Sequence, residues 1–229
     1  MNPLLFFAAV LSIQASGAGA PTPVLRVVGC AASNSGGEPG LGLELRNLHQ
    51  SPLVGWVLER RDPEEPREVV RRSVDVLLAP PLWVLPGASW SHHTSWPCTA
   101  SVDVVAAVYE NGDASGVDRV LDDFLAARQA KALGLREVLE ALQRADLAAD
   151  GLRSPDELRS MLASMNSPHI AAGRMAVRSA LAGDEYCSPL VTTRPGANAP
   201  VVPRARIVWA IQSALISLEE SLVQTRRRP

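Results

Sequence analysis

A chain of 229 residues has room for one large domain or two small ones. Hydrophobic residues at 47% and charged ones at 20% exclude a disordered chain, and a net charge of −2 excludes a global attraction to nucleic acid or anionic lipid. Lys131 is the only lysine; with no motif calling for so many guanidinium groups, this reads as the codon bias of a GC-rich genome.

Leu4 to Ile13 is an apolar run too short to span a bilayer, followed by the small residues Ala15 to Ala20. Ser16-Gly17-Ala18 and Ala18-Gly19-Ala20 both satisfy the small-x-small rule for cleavage, and Pro21 after the second favours the first. The expectation is a secretory signal over residues 1–20 and a periplasmic or extracellular protein. The run is preceded by no Lys or Arg, and the competing reading is a buried N-terminal element. Val27-Val28-Gly29-Cys30 has the form of a lipobox, but Pro21, Pro23 and Arg26 separate it from the apolar run. Ile207 to Leu218, the most apolar later segment, is short and holds Gln212 and Ser213, so no transmembrane segment is expected after the signal.

From Val24 the chain reads as strands. Val24 to Cys30 is the first, followed by a Ser/Gly/Pro loop from Ser33 to Gly40. Leu41, Leu43 and Leu45 alternate with Gly42, Glu44 and Arg46, the period of a half-buried strand. Asn47 to Pro52 is a turn, and Val54, Trp56 and Leu58 alternate again, which places Trp56 in the core. Glu59 to Arg72 carries five acidic and five basic residues and reads as a solvated hairpin. Val74, Val76 and Leu78 predict another strand, ended by Pro80-Pro81, and Leu82 to Leu85 is short and apolar. Val102 to Tyr109 is apolar on both faces, as a central strand is, and Asn111-Gly112 after it is a hairpin signal.

About seven short strands at this spacing suggest a sandwich or barrel. Leu43-Glu44-Leu45-Arg46-Asn47, Pro52-Leu53-Val54-Gly55-Trp56-Val57-Leu58, Leu85-Pro86-Gly87-Ala88-Ser89 and Val104 through Gly112 together resemble the strand pattern of immunoglobulin-like domains in secreted bacterial proteins of unknown function. The resemblance covers residues 24–117. It implies a β-sandwich with a binding or spacer role and no active site.

After Gly116 the period changes. Val117, Leu121, Phe124, Leu125, Leu135, Val138, Leu139 and Leu142 recur at helical spacing, predicting a helix from Asp118 to about Ala145. Gly134 inside it signals a break or a close helix contact. Ser154-Pro155-Asp156-Glu157 is a capping box with proline at the first helical position, opening a helix to about Met165. Ser167-Pro168 opens a third helix, which Gly183 ends. Ser188 to Pro203 reads as a long loop. The last helix, Arg204 to about Arg226, carries the stripe Ile207, Ile211, Leu215, Leu218 and Leu222, narrow enough for one or two packing partners, with the helix from Asp118 the natural one. The expected fold is therefore α+β: an immunoglobulin-like antiparallel β-sandwich over residues 21–117, then a helical region of three to four helices over residues 118–229.

Four groups of residues are candidates for function. His92 and His93 near Cys98 offer metal ligands, although neighbours on a strand point to opposite faces. Trp83, Trp90 and Trp96 lie near loops, where tryptophan anchors a sugar ring or a partner protein; burial is the competing fate. Asp146, Asp150, Gly151, Ser154 and Glu157 match part of a calcium loop, but Ala148 and Arg153 break the pattern and a capped turn explains the same residues. Cys30 and Cys98 both lie in the β half and are the expected disulfide, leaving Cys187 over. Arg226-Arg227-Arg228 is sufficiently explained by a helix C-terminus.

No nucleophile elbow, phosphate loop, zinc-protease motif or dinucleotide fingerprint is present, and no cofactor is expected. A hydrolase reading requires the fold to bring a His beside Ser or Asp in a polar pocket. The expected role is structural or binding, with a protein or glycan partner, and no enzyme; the alternative is a small periplasmic metal-binding protein using His92 and His93.

Overall fold

The structure, a computed structural model, describes residues 22–31, 40–65, 67–144, 155–185, 187–192 and 201–226. The expected signal segment and most of the calcium-like loop lie outside these residues, as does the side chain of Cys30. The fold is α+β. Among the described residues seven strands form a three-stranded and a four-stranded sheet, and the long helices follow them.

The chain divides into two compact units. The first holds the described residues up to Val74 together with Val84–Leu121; the second holds Asp75–Trp83 and the described residues from Asp122 on.

In the first unit, β1 (Val24–Ala31), β2 (Gly40–Arg46) and β5 (Ser89–His93) form one sheet in the order β1-β2-β5. β4 (Val69–Asp75), β3 (Leu53–Arg61), β6 (Ser101–Tyr109) and β7 (Ala114–Gly116) form the other, in the order β4-β3-β6-β7. Leu41, Leu43 and Leu45 are buried, as their alternation requires, and Trp56 is wholly buried. Trp56 of β3 meets Trp90 of β5 edge to face, ring centroids 5.0 Å apart, so the two sheets share an aromatic contact. The Asn111-Gly112 hairpin forms: β6 pairs antiparallel with β7, and Gly112 takes the positive φ of +86° that the turn needs.

Three sequence expectations change. The expected strand through Val76 and Leu78 is displaced, because β4 ends at Asp75. Val76 and Leu77 are both buried, and two consecutive buried side chains break the period of two. Leu82 to Leu85 is not extended throughout: Pro80–Leu82 is a single 3-10 turn, favoured by proline at its start, and Val84 makes one bridge to Leu53. Glu59, read as part of a solvated run, is buried; Arg61 and Arg71 donate to its carboxylate from 2.8 to 3.0 Å.

In the second unit, α1 (Asp118–Arg144, its first turn belonging to the first unit), α2 (Pro155–Ser164), α3 (Ile170–Ala182), α4 (Pro189–Thr192) and α5 (Arg204–Arg226) follow in order. The short α4 occupies part of the segment expected as a loop. The pairing of α1 with α5 is present: Arg128 of α1 donates to Ser221 Oγ of α5 at 2.8 Å, and Arg136 pairs with Glu219. The expected close contact at Gly134 is found against Gly173 of α3; a Cβ on Gly134 would lie 2.5 Å from the Gly173 Cα.

Candidate functional site

A cleft of about 500 Å³ opens in the first unit between the β2–β3 loop and the β6–β7 hairpin. Leu48, His49, Gln50, Ser51, Asn111 and Asp113 line it.

Asn47 builds the first wall. It is fully buried, and its side-chain amide donates to the carbonyls of Ser51 at 2.9 Å and Val84 at 2.8 Å. Its Oδ1 accepts the His49 N–H at 2.9 Å, the local turn asparagine favours. Its own backbone is tied to Ala88 and Gly87. A loop pinned at so many points presents Leu48 and Gln50 to solvent as fixed features. In the hairpin wall, Asp113 accepts a 2.6 Å bond from Asn111 Nδ2 and returns its N–H to Asn111 Oδ1 at 3.0 Å. The walls are joined by Glu110 N–H to the Pro52 carbonyl and by Asn111 N–H to Ser51 Oγ.

His49 connects both walls. Its Nδ1 accepts the Ser51 N–H at 3.0 Å, which assigns the ring proton to Nε2. Nε2 then donates to Asp113 Oδ2 at 3.1 Å. The imidazole lies over the buried Tyr109 ring, centroids 4.1 Å apart, and burial pushes the Tyr109 phenol above its ordinary range. Ser51, His49 and Asp113 are thus gathered in one polar pocket, the condition for a hydrolase. The bonding is not that of a nucleophile and its base. The nitrogen that would take a serine proton is already accepting the Ser51 backbone, and Ser51 Oγ is turned to Asn111.

The expected site residues are not in this cleft. His92 and His93 sit on β5, not in a loop, and the pleat separates them. His92 pairs with Leu43 on the inward face and stacks on Trp90 at 5.0 Å; His93 pairs with Gly42 on the outward face. Among the described residues no group of three or more His, Cys, Asp or Glu side chains is placed to hold a metal. Partial burial, then Arg72 and His93, push the His92 pKa below the ordinary imidazole value. Trp96 is buried, and Trp90 spends its ring on Trp56 and His92. Trp83 is half-buried in the second unit and donates its indole N–H to the Val76 carbonyl at 2.9 Å. Cys98 is disulfide-bonded and Cys187 is free and buried.

Asn47, His49 and Asp113 were not singled out in the sequence. A turn composition around Asn47 and the Asn-Gly hairpin were the only local signals; their meeting depends on the pairing of β3 with β6.

Fold and cleft define an α+β protein with a loop-built, hydrogen-bonded polar cleft on its β unit. Comparison with protein-family models, curated proteins and solved structures gave no match. Among the described residues no helix is long and apolar enough to cross a membrane.

Proposed function

We propose that this chain is an exported binding protein whose β unit is an immunoglobulin-like sandwich and whose cleft at His49 receives a segment of a partner protein. The observation that carries it is the double commitment of His49: an imidazole with one nitrogen on the Ser51 backbone and the other on Asp113 holds two loops together and has no nitrogen left for proton transfer. Leu48 stands exposed at the rim, beside polar groups of fixed position, which is the composition of a recognition loop. The spent rings of Trp90 and Trp96 favour a protein over a glycan, because sugar recognition relies on an open aromatic face. The disulfide at Cys98 supports an oxidising compartment, in line with the apolar N-terminal run. Cys30 is the partner we assign to it, Cys187 being free.

A photo-crosslinker placed at Leu48 is expected to capture a protein partner whose purified form binds the wild type and fails to bind Leu48→Asp. N-terminal sequencing of the exported protein is expected to begin at Gly19, or at Pro21, and non-reducing peptide mapping to join Cys30 to Cys98. Turnover of an ester, amide or glycoside that disappears in Ser51→Ala would overturn the binding reading.

A further inference from the structure

Helix α5 is apolar on two sides. Ile207, Ile211, Leu218 and Leu222 are buried, yet Trp209, Ile216 and Val223 are 52%, 55% and 46% exposed. These three are seven residues apart, so they form one straight stripe along the outer face. Val201, exposed at 54%, precedes the helix. Apolar side chains repeated over about four turns of a water-facing helix have a free-energy cost that association removes.

The pattern specifies its own partner. Placed antiparallel to a copy of itself, with the two-fold axis crossing α5 at Gln212 and Ser213, the helix brings Trp209 over Ile216 of the copy and Ile216 over its Trp209. The same register brings Val223 to the segment at Val201. Arg206 lies near one end and Glu220 near the other, on the same flank of the stripe, so each arginine meets a glutamate of the other copy. Arg206 already pairs with Asp184 at 2.7 Å and lies over the Trp209 ring at 4.4 Å, which holds its guanidinium at the edge of the stripe. Glu220 is exposed. A parallel arrangement would set arginine beside arginine and glutamate beside glutamate. Small or polar Ser213 at the axis permits close approach of the helices.

We infer that α5 is the interface of a two-fold homodimer, formed by antiparallel pairing of its outer stripe. One helix pair buries on the order of 1,000 Å², at the low end of specific interfaces, and the dimer is expected to form at about micromolar concentration.

Sedimentation equilibrium of the full chain from about 1 to 100 µM tests it. The wild type is expected to pass from monomer to dimer. Ile216→Asp, at an exposed position, is expected to weaken dimerisation by about tenfold or more with its helical circular dichroism unchanged. Glu220→Arg is expected to weaken it as well, more so at low salt. Independently, Ser213→Cys is expected to cross-link to its own copy on mild oxidation. A wild type that stays monomeric to the highest concentration overturns the inference. So does a dimer that Ile216→Asp leaves intact, which places the interface elsewhere, or a Ser213→Cys dimer that does not cross-link.

Discussion

Arg128 is completely buried. Its Nε and Nη2 bond Asp75 Oδ1 at 3.2 and 2.9 Å, Nη1 bonds Ser221, and its guanidinium lies 4.9 Å from the Phe124 ring. Lys131 takes the other oxygen of Asp75 at 2.7 Å. Burial alone would raise the Asp75 pKa, but the two cations outweigh it and hold the carboxyl below its ordinary value. Asp75→Asn leaves two cations around an uncharged amide, and is expected to cost about 3 kcal/mol or more in urea denaturation. Arg128→Met is expected to cost less, because Lys131 still neutralises Asp75; an equal or larger loss would show that the arginine's packing matters more than charge. The sequence carried a hint here: residue 128 lies in phase with Phe124, Ala132 and Leu135, all buried. Its counter-ion was not legible, since Asp75 lies in a distant part of the chain. Cys187 is the other informative residue. Burial, then the charge and hydrogen bond of Asp184, push its thiol up to about 12. It is expected to resist iodoacetamide at pH 8 in the folded protein and react once unfolded, as followed by mass spectrometry.

Elements were legible where local pattern and tertiary environment agreed. α1 and α5 match their expected spans because long apolar periodicity leaves few alternatives; β2 was legible from its alternation at period two and β6 from its continuous apolar run, while β3 continues to Arg61, beyond the alternation of Val54, Trp56 and Leu58. β5 carries no such pattern: Trp90-Ser91-His92-His93 contains no aliphatic run, and it is a strand because β2 offers it a ladder through Leu43 and Leu45. The α1–α3 crossing shows how one residue type acts at this scale. Gly134 and Gly173 allow backbone-to-backbone approach, and a Cβ on Gly134 would also lie 2.6 Å from the His169 carbonyl oxygen. Alanine would improve helix propensity by about 1 kcal/mol, yet Gly134→Ala is expected to destabilise by about 1–3 kcal/mol as backbone, not a side-chain tip, must move. A thermal melt unchanged or raised by this substitution would contradict the close crossing.

At the scale of the whole molecule, titration acts on the two units at different pH. In the first unit, partial burial, Arg72 and His93 lower the His92 pKa. A depressed folded-state pKa contributes stability that is complete above the unfolded value of about 6.5 and lost as pH falls through the folded one. Glu59 in the same unit is lowered as well: burial opposes, but bonds from Arg61 and Arg71 prevail, so its share is lost only below about pH 4. In the second unit Asp75 follows the same sign below about pH 4. Cys187 has the opposite sign: raised above an unfolded value of about 8.5, it contributes stability present at neutral pH and lost toward about 12. Hydrogen exchange read by unit is therefore expected to show β-unit protection falling from about pH 6.5 downward, while helical-unit protection holds to about pH 4.

The sequence by itself determined the two kinds of secondary structure, their order and the place where strands give way to helices. These depend on the period of apolar side chains along short stretches, and that period is a local property. Which polar residues meet was decided by tertiary structure. The cleft at His49 exists because the pairing of β3 with β6 brings the Asn47–Pro52 turn to the Asn111–Asp113 hairpin, and strand register is set by the packing of distant side chains. In the other sheet, pairing with β2 made Ser89–His93 a strand, and its pleat turned His92 inward and His93 outward, which separated two imidazoles that adjacency in the chain had put together.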